Sequence, residues 1–235
     1  MKPFKTITKL LVLVIITSNT SKAQQLNKGS FFKNTISTHL YLIGGMNFSK
    51  QSITLNTYNS KFNYDLNDYQ KNVFKPAYLL GVQYQNKINA TSNYAFSVVL
   101  NKLVTGTNYT SINKLAPFIN NFTKFKAEDQ FIMLDINAYL KQLIPVGDTS
   151  KYKFYVVAGP SLNMRISEQS ADNLIYTSYN RYYLSGNGGL EFNNQGYYTL
   201  FVHYKYALNS FTKAPITTNL NSVEMGVMIK TSNLF

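Results

Sequence analysis

The stretch "YYTLFVHYKYAL", residues 197–208, alternates apolar and polar side chains with a period of two. Its even-numbered residues from Tyr198 to Leu208 are apolar or aromatic, whereas His203 and Lys205 occupy odd-numbered positions. Successive side chains of a β-strand point to opposite faces, so the pattern predicts a strand with one apolar and one polar face. Its length exceeds the 5–6 residues common in soluble strands and suits a tilted strand that crosses a bilayer.

The same alternation recurs along the rest of the chain. Seven further segments show it, around residues 38–48, 77–87, 93–105, 130–143, 152–166, 182–193 and 219–231. The segment at 182–193 is the weakest, because the glycines of "GNGG" interrupt it. The sequence therefore predicts eight strands, each with an apolar face.

The connections between these segments are alternately longer and shorter. A long connection follows the first segment. The second segment is followed by the short "NATSN", and the third is followed by the long "GTNYTSINKLAPFINNFTKFKAED". Bacterial outer-membrane barrels combine long outer loops with short periplasmic turns. We therefore expect an all-β, eight-stranded antiparallel up-and-down transmembrane β-barrel. Its long loops are extracellular, its short turns are periplasmic, and both termini face the periplasm.

The N-terminus has the features of a secretory signal. Residues 1–23 combine basic residues, the apolar core "LLVLVIIT" and a small-residue cleavage site, "SKA". The apolar core is too short for a membrane helix, which leaves an uncleaved anchor as the less favoured alternative. The predicted organisation is a signal peptide at 1–23, a periplasmic N-terminal segment at 24–35 and an outer-membrane barrel domain at 36–235. The expected location is the outer membrane of a Gram-negative-type bacterium.

Composition narrows the possible partners. The net charge is +13, and the chain contains no Cys, which excludes disulfides and a lipid anchor on cysteine. The basic residues are dispersed and the protein is exported, so nucleic acid is not an expected partner. The expected partner is instead an anionic membrane surface, which includes the lipid and lipopolysaccharide of the outer membrane.

The polar face of the strands predicts a charged interior. The interior of an eight-stranded barrel is just wide enough for side chains to fill it, so charges of both signs should pair there and leave no open channel. The residues expected in this interior polar network are Asp135, Lys141, Arg165, Glu191, His203, Lys205, Glu224 and Lys230. The outward set contains one charged residue, Lys102, which we expect near the membrane interface.

The sequence offers little for catalysis or cofactor binding. His203 and Glu224 form a possible general-base pair, but a hydrogen-bonded network in the barrel interior is the favoured interpretation. Asp65 and Asp68 lack the further oxygen ligands of a calcium site. The glycine-rich "SGNGGLE" lacks the Lys and following helix of a P-loop. We expect no enzyme activity, no metal and no cofactor.

The first two outer loops combine aromatic side chains with amides and lysines. Such a surface can bind sugars, lipopolysaccharide phosphates or a protein, or it can simply fold over the barrel mouth. The residues predicted to take part in loop recognition are Tyr58, Tyr64, Tyr69, Tyr109, Phe122 and Lys124.

Several stretches resemble the PorT-like outer-membrane β-barrel domain proteins. They are "LYLIGGMNFSK", "KPAYLLGVQYQNKI", "DINAYLKQLIPVGDTSKYKFYVVAGPSLNMRI" and "SVEMGVMIK", which together span most of the mature chain. The family's name comes from a secretion-system component required for protein export, although nothing in the sequence carries that role over. The terminal Phe235 also resembles the signal that outer-membrane insertion machinery recognises, which implies that machinery as a partner.

The sequence favours a structural or accessory membrane protein that recognises a partner, possibly another envelope protein of an export or surface-assembly system. Two alternatives remain. One is a small-solute pore. The other is a soluble, exported, lipocalin-like barrel that carries a ligand, in which the apolar set would face inward and the charges outward.

Overall fold

The alternating segments form one closed sheet in a computed structural model, which describes residues 39–55, 71–112, 122–145, 152–170, 179–194, 197–212 and 216–233. The strands are β1 (Leu40–Leu55), β2 (Lys71–Lys87), β3 (Ser92–Ile112), β4 (Phe122–Ile144), β5 (Tyr152–Ser170), β6 (Tyr182–Asn194), β7 (Tyr198–Ala207) and β8 (Ile216–Lys230). A short 3₁₀ helix, Thr231–Asn233, follows β8.

Each strand pairs with its sequence neighbour in antiparallel fashion, and β8 returns to pair with β1. The closing seam runs from the pair Tyr41 and Lys230 to the pair Leu55 and Ile216. Closure satisfies the backbone groups of both edge strands, which a membrane-spanning sheet requires. The predicted eight-stranded antiparallel barrel is therefore confirmed.

The two faces of the barrel differ sharply in chemistry. Along β7, exposed and buried side chains alternate without exception from Tyr198 to Ala207. The exposed set is apolar, as Leu190 (59% exposed) and Val202 (51% exposed) illustrate, whereas Asp135 and Lys205 are buried in the interior. A lipocalin-like carrier predicts the opposite arrangement, so that alternative is wrong.

Two bands of exposed aromatic rings flank the apolar outer surface. The band near the periplasmic ends of the strands contains Phe96, Tyr152, Phe154, Tyr197 and Tyr198, and the band near the extracellular ends contains Phe74, Tyr78, Tyr182, Tyr204 and Tyr206. Aromatic girdles of this kind lie at the two interfaces of transmembrane barrels. The apolar zone between them therefore faces lipid.

Two strands extend further than the sequence predicts. β3 has 21 residues and β4 has 23, and they stay paired up to Ile112 and Phe122. The assignment of Tyr109, Phe122 and Lys124 to a loop was therefore wrong, because all three lie in paired strands. Beyond the membrane a strand no longer needs a lipid-facing apolar set, so the alternation fades while the backbone pairing continues.

Other sequence-based predictions fall on residues that the structure does not describe. They concern the signal peptide and the periplasmic segment, the loop residues Tyr58, Tyr64 and Tyr69, and the terminal Phe235. Within the described ranges, no helix has the length and apolarity that membrane crossing demands.

Candidate functional site: the barrel interior

A three-residue ion-pair group crosses the middle of the barrel. The Nζ atom of Lys205, on β7, lies 2.7 Å from Oδ2 of Asp135 on β4 and 2.8 Å from Oε1 of Glu224 on β8. β4 and β7 are not neighbours in the sheet, so the pair with Asp135 spans the interior. All three side chains are almost completely buried. Lys205 therefore links three strands through charge-assisted contacts, which are the strong ones in a water-poor interior.

A second group lies beside the first. Lys141 Nζ, on β4, is 2.6 Å from Oε2 of Glu191 on β6, and it also donates a hydrogen bond of 3.0 Å to Oε1 of Gln85 on β2. His203 Nε2 lies 3.3 Å from the other carboxylate oxygen of Glu191. His203 is also the register partner of Glu224 across β7 and β8. The imidazole thus stands between the two ion-pair groups.

Six of the eight predicted interior residues come together in this way. We call them the interior cluster: Asp135, Lys141, Glu191, His203, Lys205 and Glu224. The cluster joins β4 to the consecutive strands β6, β7 and β8 across the interior. Since a buried charge without a partner is very costly, the pairing across the interior is what makes these charges tolerable in the barrel.

The side-chain amides of Asn47 and Asn101, which were not among the residues predicted from the sequence, complete the cluster. Asn101 Nδ2 donates hydrogen bonds of 3.1 Å to Asp135 and 2.9 Å to Glu224, and its own carbonyl oxygen accepts from Asn47. Both amides are fully buried. Asn47 lies on β1 and Asn101 on β3, each at an inward position. The one feature of the sequence that could have identified them is an uncharged polar residue on the polar face of a strand.

The remaining two predicted residues do not join the cluster. Arg165 lies at the extracellular end of β5, where it pairs with Glu168 three residues further on. Lys230 is half-buried at the periplasmic end of β8 and has no ion-pair partner among the described residues. Alternation places both on the inward set, but each lies near a strand end and away from the interior cluster. A charge at such a position needs no partner across the barrel.

Aromatic rings close the interior on the extracellular side. The extracellular cover consists of Phe131, Tyr179, Tyr183 and Phe211, whose ring centroids lie 4.8–5.3 Å apart in successive contacts. Phe211 is fully buried, although it follows the end of β7. The cover thus places a packed apolar layer between the interior cluster and the outside.

Backbone hydrogen bonds hold the cover in place. The Asn180 backbone N–H donates to the carbonyl of Phe211 at 2.8 Å, and the Asn180 side chain donates to the carbonyls of Ser210 and Thr212. Tyr179 and Thr212 also form an isolated β-bridge. These contacts join the segment before β6 to the segment after β7 above the barrel mouth.

A small cavity lies below the cover. It has a volume of about 10 Å³ and lies beside His203 and Glu224, with Gln83, Ser97 and Tyr139 among its other lining residues. A volume of that size holds about one water molecule. No group of three potential metal ligands occurs in the part of the chain that the structure describes.

The fold and its interior define the class of protein. A closed eight-stranded barrel with a lipid-facing apolar zone, two aromatic girdles and a polar, packed interior is a transmembrane β-barrel. The protein is an outer-membrane β-barrel of a Gram-negative-type bacterium.

Comparisons with known proteins give only distant likenesses. Neither a protein-family model nor a curated protein matches this sequence. Among solved structures, the chain is similar to the outer membrane protein OprG from Pseudomonas aeruginosa, with 12% identity and a TM-score of 0.45 over 83% of this chain and 98% of OprG.

Two further solved structures are similar to the chain. Neisserial surface protein A (NspA) is 16% identical, with a TM-score of 0.41 over 81% of this chain and 96% of NspA. Ail, the attachment invasion locus protein of Yersinia pestis, is 12% identical, with a TM-score of 0.35 over 81% of this chain and 97% of Ail. Likenesses at this level say nothing about what the chain binds.

Proposed function

We propose that this protein is a closed, non-enzymatic outer-membrane barrel that serves as a structural or accessory component and recognises an envelope partner through its extracellular strands and loops. The observation that carries the proposal is the ion pair between Lys205 and Asp135, which crosses an interior already filled by side chains. With the interior closed, the surfaces outside the membrane are left for function.

The packing of the interior argues against a small-solute pore. A solute would have to separate Lys205 from Asp135 and Lys141 from Glu191, and each separation leaves a buried charge without its partner. It would also have to displace the fully buried Phe211 from the extracellular cover. Both barriers lie on the path through the barrel.

The position of His203 argues against general-base catalysis. Its side chain is 6% exposed and lies among the rings of Tyr139 and Phe201, with Glu191 as its nearest carboxylate. A general base must come within hydrogen-bond reach of a substrate. A side chain enclosed in the packed interior does not meet that requirement.

The β3–β4 hairpin supports recognition on the extracellular side. A tilted strand crosses a bilayer in about 9–11 residues, so roughly half of β3 and of β4 extends beyond it. Tyr109 and Lys124 lie in this projecting part, where Tyr109 pairs in register with Phe125 and Thr110 pairs with Lys124. The proposed partner is an envelope protein, and a component of a protein-export or surface-assembly system is the first candidate to test.

Site-specific photo-cross-linking in intact outer membranes tests the proposal. A photoreactive amino acid at position 109 or 124 should yield one reproducible envelope-protein adduct. The matched control is the same amino acid at position 202, where Val202 faces lipid on β7. Equal adduct patterns at all three positions, or none at 109 and 124, would contradict recognition by the hairpin.

Conductance tests the closed interior separately. The purified barrel in a planar bilayer should give no current steps above the bare membrane, with a porin as the positive control. Stable open-channel steps would overturn the closed-barrel proposal and favour the pore.

A further inference from the structure

Two lysines occupy outward positions on the lipid side of the barrel, at the extracellular end. Lys102 pairs in register with Ile132, whose side chain faces lipid, and Lys50 follows Ser49, which is buried in the interior. Each is the eleventh residue of a strand that starts on the periplasmic side, β3 for Lys102 and β1 for Lys50. Since about 9–11 residues cross the bilayer, both ammonium groups lie at the outer-leaflet surface.

Aromatic rings of the intervening strand lie against both lysines. Lys102 Nζ is 5.9 Å from the ring centroid of Tyr78, and Lys50 Nζ is 5.7 Å from that of Phe74. Tyr78 and Phe74 both belong to β2, and they are 52% and 44% exposed. The rings hold the ammonium groups near the barrel wall through cation–π attraction and leave their remaining donors free.

Neither lysine has an acidic partner among the described residues. The neighbouring Lys75 differs, because its Nζ lies 3.3 Å from Oε2 of Glu128. Lys50 and Lys102 therefore carry two uncompensated positive charges into a region where the membrane supplies negative ones. A phosphate group satisfies an ammonium by charge and by hydrogen bonding together.

We propose that Lys50, Tyr78 and Lys102 form a binding site for the phosphate groups of an outer-leaflet lipid, a phosphorylated glycolipid of the lipopolysaccharide type. The lysines lie on the strands at either side of β2, and their ring partners Phe74 and Tyr78 are four residues apart along it. With strands about 4.8 Å apart and a rise of about 3.3 Å per residue, the Cα atoms of Lys50 and Lys102 stand about 15 Å apart. That spacing suits a headgroup with two phosphates, with the Tyr78 hydroxyl as a further donor. The lipid's acyl chains would lie along the apolar surface below, which includes Met46 and Leu80.

The site is independent of the partner-recognition role. It depends only on the insertion and orientation of the barrel, and it lies on the lipid-facing wall instead of the projecting hairpin. Loss of lipid binding and loss of partner cross-linking are therefore separate results.

Native mass spectrometry of the full barrel in detergent tests the site, with diphosphorylated lipid A as the probe. The double variant Lys50→Gln, Lys102→Gln should retain lipid A at least about tenfold more weakly than the wild type. The matched control is Lys153→Gln, which removes an exposed lysine at the periplasmic end of β5. Equal retention by the double variant and the wild type would overturn the proposal.

Two further measurements keep the test decisive. In the wild-type protein, lipid A should slow acetylation of Lys50 and Lys102 but not of Lys153. This measurement does not depend on the folding of any variant. Unchanged acetylation at both lysines would overturn the site. Inorganic phosphate at the same concentration should not displace lipid A, since displacement would indicate a free-anion site instead of a lipid site.

Discussion

Lys205 Nζ on β7 lies 2.7 Å from Asp135 Oδ2 on β4, so one ammonium group connects strands that do not touch each other in the sheet. The same ammonium lies 2.8 Å from Glu224 on β8. A closed barrel already has its backbone satisfied, and this contact adds a tie across its interior.

Removal of Lys205 should destabilise the barrel strongly. In Lys205→Met, Asp135 and Glu224 remain buried without their cation, so the free energy of unfolding should fall by about 3–5 kcal/mol. Urea unfolding in lipid vesicles, followed by far-UV circular dichroism because the chain has no Trp, measures the change. Lys153→Met, at an exposed site, should stay within about 0.5 kcal/mol of the wild type. A similar effect of both variants would contradict the cross-barrel tie.

A double-mutant cycle should show that Lys141 and Glu191 act as a pair. Lys141→Met alone leaves a buried carboxylate, and adding Glu191→Gln should recover part of the loss, with a coupling free energy of about 0.5–3 kcal/mol. The exposed pair Lys75 and Glu128 is the matched control and should couple by less than about 1 kcal/mol. Additive effects at Lys141 and Glu191 would refute the pairing.

Two adjacent glycines in β1 should respond differently to a methyl group. A Cβ on Gly45 would overlap the backbone of Met225 and Gly226 at the closing seam, whereas a Cβ on Gly44 would meet only a Leu80 methyl group at 3.9 Å. Gly45→Ala should therefore cost about 1–3 kcal/mol and slow barrel closure. Gly44→Ala should be tolerated.

Folding yield in vesicles measures this difference, because folded barrels migrate differently from unfolded chains in unheated gels. Equal yields of the two alanine variants would show that the seam can absorb the methyl group and that close strand approach at Gly45 is not required.

Truncation of Phe211 should loosen the extracellular cover without opening a channel. Phe211→Ala leaves a cavity among Phe131, Tyr179 and Tyr183 and should cost about 3–5 kcal/mol. The interior cluster below still blocks the path, so conductance should stay at the level of the bare bilayer. Leu208→Ala, at a side chain that is 65% exposed, is the control and should cost less than about 1 kcal/mol. Current steps from Phe211→Ala would show that the cover alone seals the barrel.

Much of the fold was predictable because alternation is a local property. The even-numbered apolar and aromatic residues from Tyr198 to Leu208 are exposed on the outside of the barrel. The order of longer and shorter connections predicted antiparallel neighbours, and the strand order agrees. The extents of β3 and β4 were not predictable in the same way, because outside the membrane no lipid enforces the alternation.

The interior cluster was predictable in membership but not in its contacts. Alternation put Glu191, His203 and Glu224 on the inward face, and Glu224 was the carboxylate that the sequence suggested for His203. The structure places Glu191 within 3.3 Å of His203 instead, although Glu224 is the register partner. Side-chain contacts inside a barrel depend on strand tilt and stagger as well as on register.

The sequence by itself determined which face of each strand meets lipid, because the bilayer requires an apolar side chain at every second position and charges can survive only on the other face. It also determined the number of strands. Only the tertiary structure decided that Lys205 pairs with Asp135 across the barrel, that Lys141 pairs with Glu191, and that Phe211 closes the mouth. Those contacts join residues whose distance is set by how the sheet closes, and closure is a property of all eight strands together.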